Sequence, residues 1–461
     1  MTNNLTSKKI AILGFGLEGK SLLKFLKKSP RFKKSDVSVL DKKLDKNYLK
    51  NLEQFDLVFR SPGVPYNSPE IQKAVKKGVK FSSATQLFFE EIRKTVRRGS
   101  PQVIGITGTK GKGTTSTLLY KILKACDKNT YLAGNIGKPA IEILPKLKNN
   151  SVVILELSSF QLQDLTQSPD IAVFLGIFPD HLDAHKNFRE YFNAKANIAK
   201  WQKKNDKIFY FSDDKYSKLT AQKSPGKKFP IDLSFSNSRE LENKIKSVIK
   251  IPGTHNLKNA IMAATVALSL GCPKEKIIKA IKNFRGLEHR LEFVRSINVN
   301  QFREVRPPKI NRQYLGGRTS KTLIKFYNDS ASTNPQTAAA AIHAFSEPKI
   351  LIAGGKDKNL NYSPLAKALK NSNTKMVILF GENKQKIAKA ISVNSNRQIV
   401  IRKVKNLNKA INLSYKTAKS LITNYQLPIT VIFSPASASF DMFKDYKERG
   451  EKIKKIVKKL K

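Results

Sequence analysis

The sequence predicts an α/β protein of three domains, each a mainly parallel sheet flanked by helices. Three observations predict it. Apolar, strand-like runs alternate with amphipathic, helix-like runs from end to end, the pattern of parallel sheets with helices on their faces. Glycine-rich turns join a strand to a helix at two places, Gly14–Gly19 (GFGLEG) and Gly105–Thr115 (GITGTKGKGTT). A charged stretch carrying Gly and Pro, Arg93–Gln102 (RKTVRRGSPQ), breaks the alternation as a linker does. A chain of 461 residues has room for roughly two to four domains, each large enough to bury its own core. The expected limits are 1–99, 100–288 and 289–461.

The first segment reads strand IAILGFG, helix LEGKSLLKFLKK and strand VSVLD, then FDLVFRSPGVP and a helical stretch ending near Glu91. The second opens at Val103 with the second glycine-rich loop and the helical run TLLYKILKAC. It continues through the strands SVVILEL and IAVFLGIF, the amphipathic helix FREYFNAKANIAKW and the helix HNLKNAIMAATVALSL, and it exits near Gly286–Arg290. Residues 301–321, rich in basic residues with two prolines and a glycine pair, read as a basic loop. The third segment repeats the alternation in LIKFYND, NPQTAAAAIHAF, PKILIAGG, KMVILFG, IVIRKV and ITVIFSP, and a basic helix closes it.

Composition narrows the function. No run of about 18 apolar residues occurs, so no membrane span is expected, and the N-terminal residues show no signal-peptide pattern. The two cysteines, Cys126 and Cys272, form no close pair in sequence, so neither a disulfide framework nor a zinc site is expected and a reducing cytoplasm is. The net charge of +51, from 86 basic and 35 acidic residues, suggests anionic partners. The basic residues are spread over every presumed helix without a nucleic-acid motif. This points to a diffuse bias that attracts phosphorylated substrates, with no specific nucleic acid as partner.

The glycine-rich turns carry the chemistry. GFGLEG follows a strand and opens a helix, and Asp41 lies about 20 residues on, where a ribose-binding acid sits in dinucleotide sites. A nucleotide diphosphate of another kind, or a tight turn that only needs small residues, fits as well. GTKGKGTT is the stronger signal. Its glycines let backbone amides turn onto phosphates, and Lys112 supplies a charge to the outer ones. It departs from the usual P-loop, because Gly105 is one residue early and Gly113 follows the lysine. Thr114 and Thr115 are then the nearest hydroxyls for Mg²⁺. Glu156 ends a very apolar strand, and a carboxylate there suits a hard cation. PDHLDAH adds Asp180, His181, Asp183 and His185 after the next strand, where ligands of parallel sheets bind, although a solvated acidic turn reads equally from the cluster alone. Neither cysteine nor any serine has a nucleophile's context. Transfer through activated phosphate is therefore expected, without a covalent enzyme intermediate.

GTKGKGTT, LELSSFQL, DHLDAH, YFNAKANI, GTHNLKNA, GLEHRLE, YNDSASTNP, LIAGGKDK and SPASASFDMFKDYKERG occur in that order. Together they resemble the Mur ligases of peptidoglycan synthesis over nearly the whole chain. The resemblance implies a Rossmann-like N-terminal domain, a P-loop ATPase central domain and a Rossmann-like C-terminal domain. It implies a cytoplasmic, monomeric ligase that phosphorylates the carboxylate of UDP-N-acetylmuramoyl-L-alanine with ATP and lets the amine of D-glutamate attack the acyl phosphate. By position it implies that Lys112, Glu156, His181 and Lys195 are catalytic. ATP is then held by Gly108, Thr109, Lys110, Gly111, Lys112, Gly113, Thr114, Asn256, Asn259, Arg290 and Asp329. The UDP substrate is held by Leu17, Glu18, Asp41, Lys42, Lys43, Ser61, Gly63, Asn135, Ser158 and Gln161, and D-glutamate by His181, Thr333, Lys358, Ser439 and Tyr446. Two Mg²⁺ are implied on Thr114, Glu156, His181 and Lys195, the last as a carbamate. Read without the resemblance, Lys195 is one surface lysine among many.

The sequence departs from the family at several points. Gly113 stands for a hydroxyl residue, Lys110 for an asparagine, Gly176 for an asparagine, Ala331 for a lysine found in some members and Tyr446 for a phenylalanine found in some, and the loop 301–321 is long. Other readings are a ligase for another amino acid on the same scaffold, a nucleotide-dependent oxidoreductase built on GFGLEG and Asp41, and a basic nucleic-acid-binding protein.

Overall fold

The computed structural model describes residues 8–94, 101–181, 184–232, 239–299, 323–394, 399–425 and 427–460. Asp183 and the basic loop 301–321 lie outside them, as does most of the expected linker. Its first residues, Arg93 and Lys94, end a helix (Ala84–Lys94) instead, and the Arg93 guanidinium donates to the Ser168 carbonyl at 2.9 Å.

Three sheets are formed. The first joins β1 (Lys9–Leu13), β2 (Asp36–Leu40), β3 (Leu57–Arg60) and β4 (Lys80–Ser82) in the order β2-β1-β3-β4, all parallel. The second joins β5 (Gln102–Thr107), β6 (Thr130–Gly134), β7 (Val152–Glu156), β8 (Ile171–Phe174), β9 (Lys207–Phe211) and β10 (Lys227–Ile231) in the order β10-β9-β8-β5-β7-β6, again all parallel. The third joins β11 (Glu292–Asn298), β12 (Leu323–Asn328), β13 (Lys349–Gly354), β14 (Thr374–Phe380), β15 (Val400–Lys403) and β16 (Ile429–Phe433) in the order β11-β12-β16-β13-β14-β15. Only its edge strand β11 is antiparallel. Central strands such as Val152–Glu156 and Ile429–Phe433 are buried along their whole length, as strands covered on both faces must be.

Internal contacts divide the chain into two units, 1–248 with 258–283, and 249–257 with 284–461. The first unit holds the first two sheets, and one apolar cluster runs from Ile10, Leu22 and Phe88 to Val153, Phe174 and Ile198. A buried ion pair reinforces it. Arg60, at the end of β3 and 2% exposed, donates to the Asp164 carboxylate from Nε at 2.9 Å and lies 2.9 Å from it at Nη2. The same guanidinium donates to the carbonyls of Val64 and Phe160, both at 2.9 Å. Each of its three nitrogens is therefore partnered, which is what makes a buried arginine tolerable. The third sheet carries separate apolar clusters on its two faces, one around Leu351, Leu365 and Leu379, the other around Ile350, Phe380 and Phe433.

Candidate active site

In the second sheet β5 lies between β8 and β7, and all three run the same way. Ile106 pairs with Glu156 and Thr107 with Phe174, so three segments leave the C-terminal edge side by side. They are the phosphate loop, the residues after Glu156 and the residues from Leu175 to His181. This edge is where parallel sheets bind ligands.

The loop turns sharply into the helix Lys112–Ala125. Gly111 caps that helix at φ +88°, and a β-carbon there would run into the Asn259 side chain. Gly108, at φ +150°, leaves no room for one against Leu175, 2.6 Å away. Both positions therefore require glycine. Thr109 ties the loop to the neighbouring segment. Its N–H donates to the Gly176 carbonyl at 3.0 Å, and its hydroxyl lies 3.1 Å from both the Phe178 carbonyl and the Tyr191 hydroxyl. Lys112 folds back over the loop, and its Nζ donates to the Gly108 and Thr109 carbonyls at 3.0 and 3.1 Å. Thr114 is buried on the first turn, and the neighbouring Thr115 hydroxyl is buried without a hydrogen-bond partner.

Glu156 is buried at the end of β7. One carboxylate oxygen accepts from Asn135 Nδ2 at 2.8 Å, and the other, Oε2, is buried with no partner. An orphaned carboxylate oxygen beside a phosphate loop suits a hard cation. Among the described residues no group of three or more His, Cys, Asp and Glu side chains gathers into a metal site. The oxygen donors for a cation here are this carboxylate and the hydroxyls of the helix.

Lys195 overturns the reading of a surface lysine. It sits on the helix Phe188–Lys200, 1% exposed, with Nζ 3.5 Å from the Thr107 hydroxyl and 5.0 Å from the centre of the Tyr191 ring. Burial first, and then the Lys112 charge, push its amine well below the ordinary lysine range, against the pull of Asp180 and Glu156. His181 stands at φ +54° with half its side chain exposed, its ring edge-on to Phe160. Burial and the charges of Lys195, Lys110 and Lys112 lower its pKa, with Asp180 opposing. Asp180 holds the Lys110 ammonium at 3.1 Å. Burial acts to raise the Asp180 carboxyl, but Lys110 and His181 outweigh it and the net shift is downward. His185 is buried deeper, with Nε2 3.0 Å from the Ser159 hydroxyl and its ring stacked on Phe160.

The residues expected around a UDP substrate fall into two groups. In the first sheet, Ser61 Oγ donates to the Gly14 carbonyl at 2.8 Å, Gly63 has open space around it, and Leu17 is exposed. Asp41 accepts from the Phe15 and Lys43 N–H groups at 2.6 and 2.8 Å, and these two bonds hold its pKa down. Asp41 thus fastens the glycine-rich turn to the loop carrying Lys42 and Lys43. In the second sheet, Ser158 and Gln161 cap the short helix Ser159–Leu162 reciprocally. Gln161 Nε2 also reaches Glu18 at 2.6 Å, and burial raises the Glu18 carboxyl.

The second unit holds the remaining predicted residues. Asn256 donates to the Pro252 carbonyl at 2.6 Å. Asp329 is buried and accepts from the Ser434 hydroxyl at 2.7 Å and the Leu291 N–H at 3.2 Å, with the Arg290 charge nearby. Burial raises its carboxyl to about 7 despite these partners. Thr333 and Lys358 are exposed, with Lys358 Nζ 5.3 Å over the Phe440 ring, while Ser439 is buried and Tyr446 opens the helix Tyr446–Lys458.

Asp329 gives a pH-dependent expectation. Its folded pKa lies above the unfolded value near 4, so between about pH 4 and 7 the folded form holds a proton that the unfolded form has lost. Stability therefore falls as pH rises through this window. Asp329→Asn removes that slope. Urea midpoints of the parent are expected to fall relative to those of the variant between pH 5 and 8, a difference in slope that amounts to a few kcal/mol, since one pKa unit is about 1.4 kcal/mol. Parallel curves would show that the carboxyl is ionised throughout.

Several contributors escaped the sequence. Tyr191 supports both Thr109 and Lys195. Glu190 accepts from Asn67 and Gln163 at 2.7 and 2.8 Å, and Arg449, fully buried, fastens Ser330, Ser437 and Ala438 beside Ser439. Tyr191 lies four residues before Lys195, one turn away on the same helix face, which is the one signal that could have singled it out.

Comparison with known proteins gives the family. The model of the Mur ligase middle domain matches residues 106–267. The UDP-N-acetylmuramoylalanine–D-glutamate ligase of Acetivibrio thermocellus is 33% identical, over 98% of this chain and 97% of that protein. The chain belongs to the Mur ligase family. The corresponding ligase of Clostridium tetani is also 33% identical, with the same coverage. Solved Mur ligases share the fold. The UDP-N-acetylmuramate-alanine ligase MurC of Thermotoga maritima has a TM-score of 0.54 at 17% identity, over 98% of this chain and 99% of that one. The MurF ligase of Thermotoga maritima in complex with ADP has a TM-score of 0.54 at 15% identity, over 100% and 99%. This Mur ligase contains, among its described residues, no helix long and apolar enough to cross a membrane.

Proposed function

We propose that the chain is an ATP-dependent amide ligase that adds D-glutamate to UDP-N-acetylmuramoyl-L-alanine in cytoplasmic peptidoglycan precursor synthesis. The observation that carries this reading is the Mur ligase phosphate loop beside the unpartnered Glu156 oxygen and the buried Lys195. A carboxylate is a poor electrophile. Moving the γ-phosphoryl group of ATP onto it gives an acyl phosphate with a good leaving group. The amine of D-glutamate attacks the acyl carbon, and the tetrahedral species collapses to amide and phosphate, with ADP left from the first step. The protein's task is charge neutralisation and positioning.

The amides of Gly108, Thr109, Lys110, Gly111, Gly113 and Thr114 hold the ATP phosphates at a helix N-terminus. Lys112 and Lys110 bring positive charge, and Asn256, Asn259, Arg290 and Asp329 bind the rest of the nucleotide. Leu17, Glu18, Asp41, Lys42, Lys43, Ser61, Gly63, Asn135, Ser158 and Gln161 bind the UDP substrate. His181, Thr333, Lys358, Ser439 and Tyr446 bind D-glutamate. Thr114, Glu156, His181 and Lys195 as a carbamate hold two Mg²⁺, which when bound neutralise phosphate charge. The depressed amine of Lys195 supports the carbamate, because only a neutral nitrogen attacks CO₂, and loss of a proton then leaves an anion. The chain works as a monomer of three domains, 1–99, 100–288 and 289–461, without a specific nucleic-acid partner.

The test is phosphate release from ATP with UDP-N-acetylmuramoyl-L-alanine present and amino acids offered singly. Release that depends on D-glutamate, with an amide product by mass spectrometry, is expected. Release with a different amino acid would move the specificity, and no release with any would overturn the proposal.

A further inference from the structure

The only two cysteines of the chain, far apart in sequence, come together in the fold. Both are free thiols. Cys126 ends the phosphate-loop helix Lys112–Ala125 and is half-buried. Cys272 lies in the turn between the helices Thr254–Ser269 and Lys274–Asn283 and is 4% exposed. Both belong to the first unit. The helix Lys274–Asn283 packs on the phosphate-loop helix, and Lys276 Nζ holds Asp127, the residue after Cys126, at 2.7 Å. Backbone bonds fix both positions, from Cys126 N–H to the Ile122 carbonyl at 3.0 Å and from Cys272 N–H to the Ala267 carbonyl at 3.1 Å. The Cys126 thiol acts on the titration of Cys272, as do the charges of Lys128 and Lys276. The expectation of no close pair holds along the sequence and fails in space.

We propose that Cys126 and Cys272 are a modification site, a thiol pair that a peroxide closes into a disulfide. Cys126, the more accessible sulfur, attacks a peroxide oxygen as its thiolate. The O–O bond breaks, the departing hydroxide takes up the thiol proton and leaves as water, and Cys126 becomes a sulfenic acid. Cys272 then attacks the Cys126 sulfur. The S–S bond forms, the S–O bond breaks, and hydroxide leaves with the Cys272 proton as a second water. Two thiols and one peroxide give one disulfide and two waters, with two electrons passing from sulfur to oxygen. Burial pushes the Cys272 thiol up to about 12, which leaves Cys126 as the first attacker.

The bond would tie together two helices that also meet at the nucleotide loop. Gly111 caps one of them, and Asn259, on the other, packs against Gly111. Oxidation thus braces the phosphate cradle from behind without touching it. A cross-link over a loop of this length takes much freedom from the unfolded chain.

The experiment treats the reduced full-length protein with hydrogen peroxide and counts free thiols after denaturation. The expected result is a fall from two titratable thiols to none and a mass lower by about 2 Da. A Cys126–Cys272 peptide should appear on non-reducing digestion, and the thermal midpoint should rise by about 5 °C or more and return on adding dithiothreitol. Cys272→Ser, and independently Cys126→Ala, should lose the peroxide-induced rise. Two thiols still titratable after oxidation, a sulfinic acid on Cys126 without the cross-link, or disulfide-linked dimers in place of it would each overturn the proposal.

Discussion

Lys112→Ala is expected to abolish ATP use, lowering kcat/KM for ATP by about a thousandfold or more, in the range of lost transition-state charge stabilisation. Lys112 is the first residue of the helix Lys112–Ala125, and its Nζ rests on the Gly108 and Thr109 carbonyls, so the charge is held over the loop in advance. The loop's own hydrogen bonds through Thr109 do not depend on it. The variant should therefore fold and bind the UDP substrate with unchanged affinity by calorimetry while phosphate release fails. Removing this charge also removes one of the causes that depress the Lys195 amine, so the substitution acts on two groups at once. Turnover comparable to the parent would refute the phosphate role.

Lys195→Ala should lose activity by a similar factor, and a small carboxylate such as acetate should restore part of it. The side chain is fully enclosed and its amine is held well below the usual lysine range by burial and Lys112. A carbamate would turn this neutral amine into an anion next to Lys112 and Lys110. Rescue by a diffusible anion separates this from a packing defect, which no anion would repair. Undiminished activity of the variant would remove the carbamate from the mechanism.

Much of this was legible in the residues. The alternation of β and α patterns announced three mainly parallel sheets, and glycines with a lysine between strand and helix announced a phosphate cradle. Such features are local, because spacing alone sets them. The rest depends on long-range packing. Lys195 has an ordinary lysine's surroundings in sequence and becomes enclosed only when its helix packs against β5. The pairing of Lys110 with Asp180 needs two loops 70 residues apart to emerge from adjacent strands. The two cysteines meet only because the helix Lys274–Asn283 returns to the end of the phosphate-loop helix. Hydrophobic periodicity records which face of an element is covered, but not which element covers it.

The Arg60–Asp164 pair bears on how the protein is made. Arg60 leaves the ribosome 104 residues before its partner. At roughly 5–20 residues per second, about 5–20 s pass before Asp164 appears. During that interval the four nascent strands of the first sheet carry an arginine at β3 that must stay hydrated, and the site it will occupy cannot close. The burial of Arg60 is therefore completed only after residues of the second sheet's segment have been synthesised.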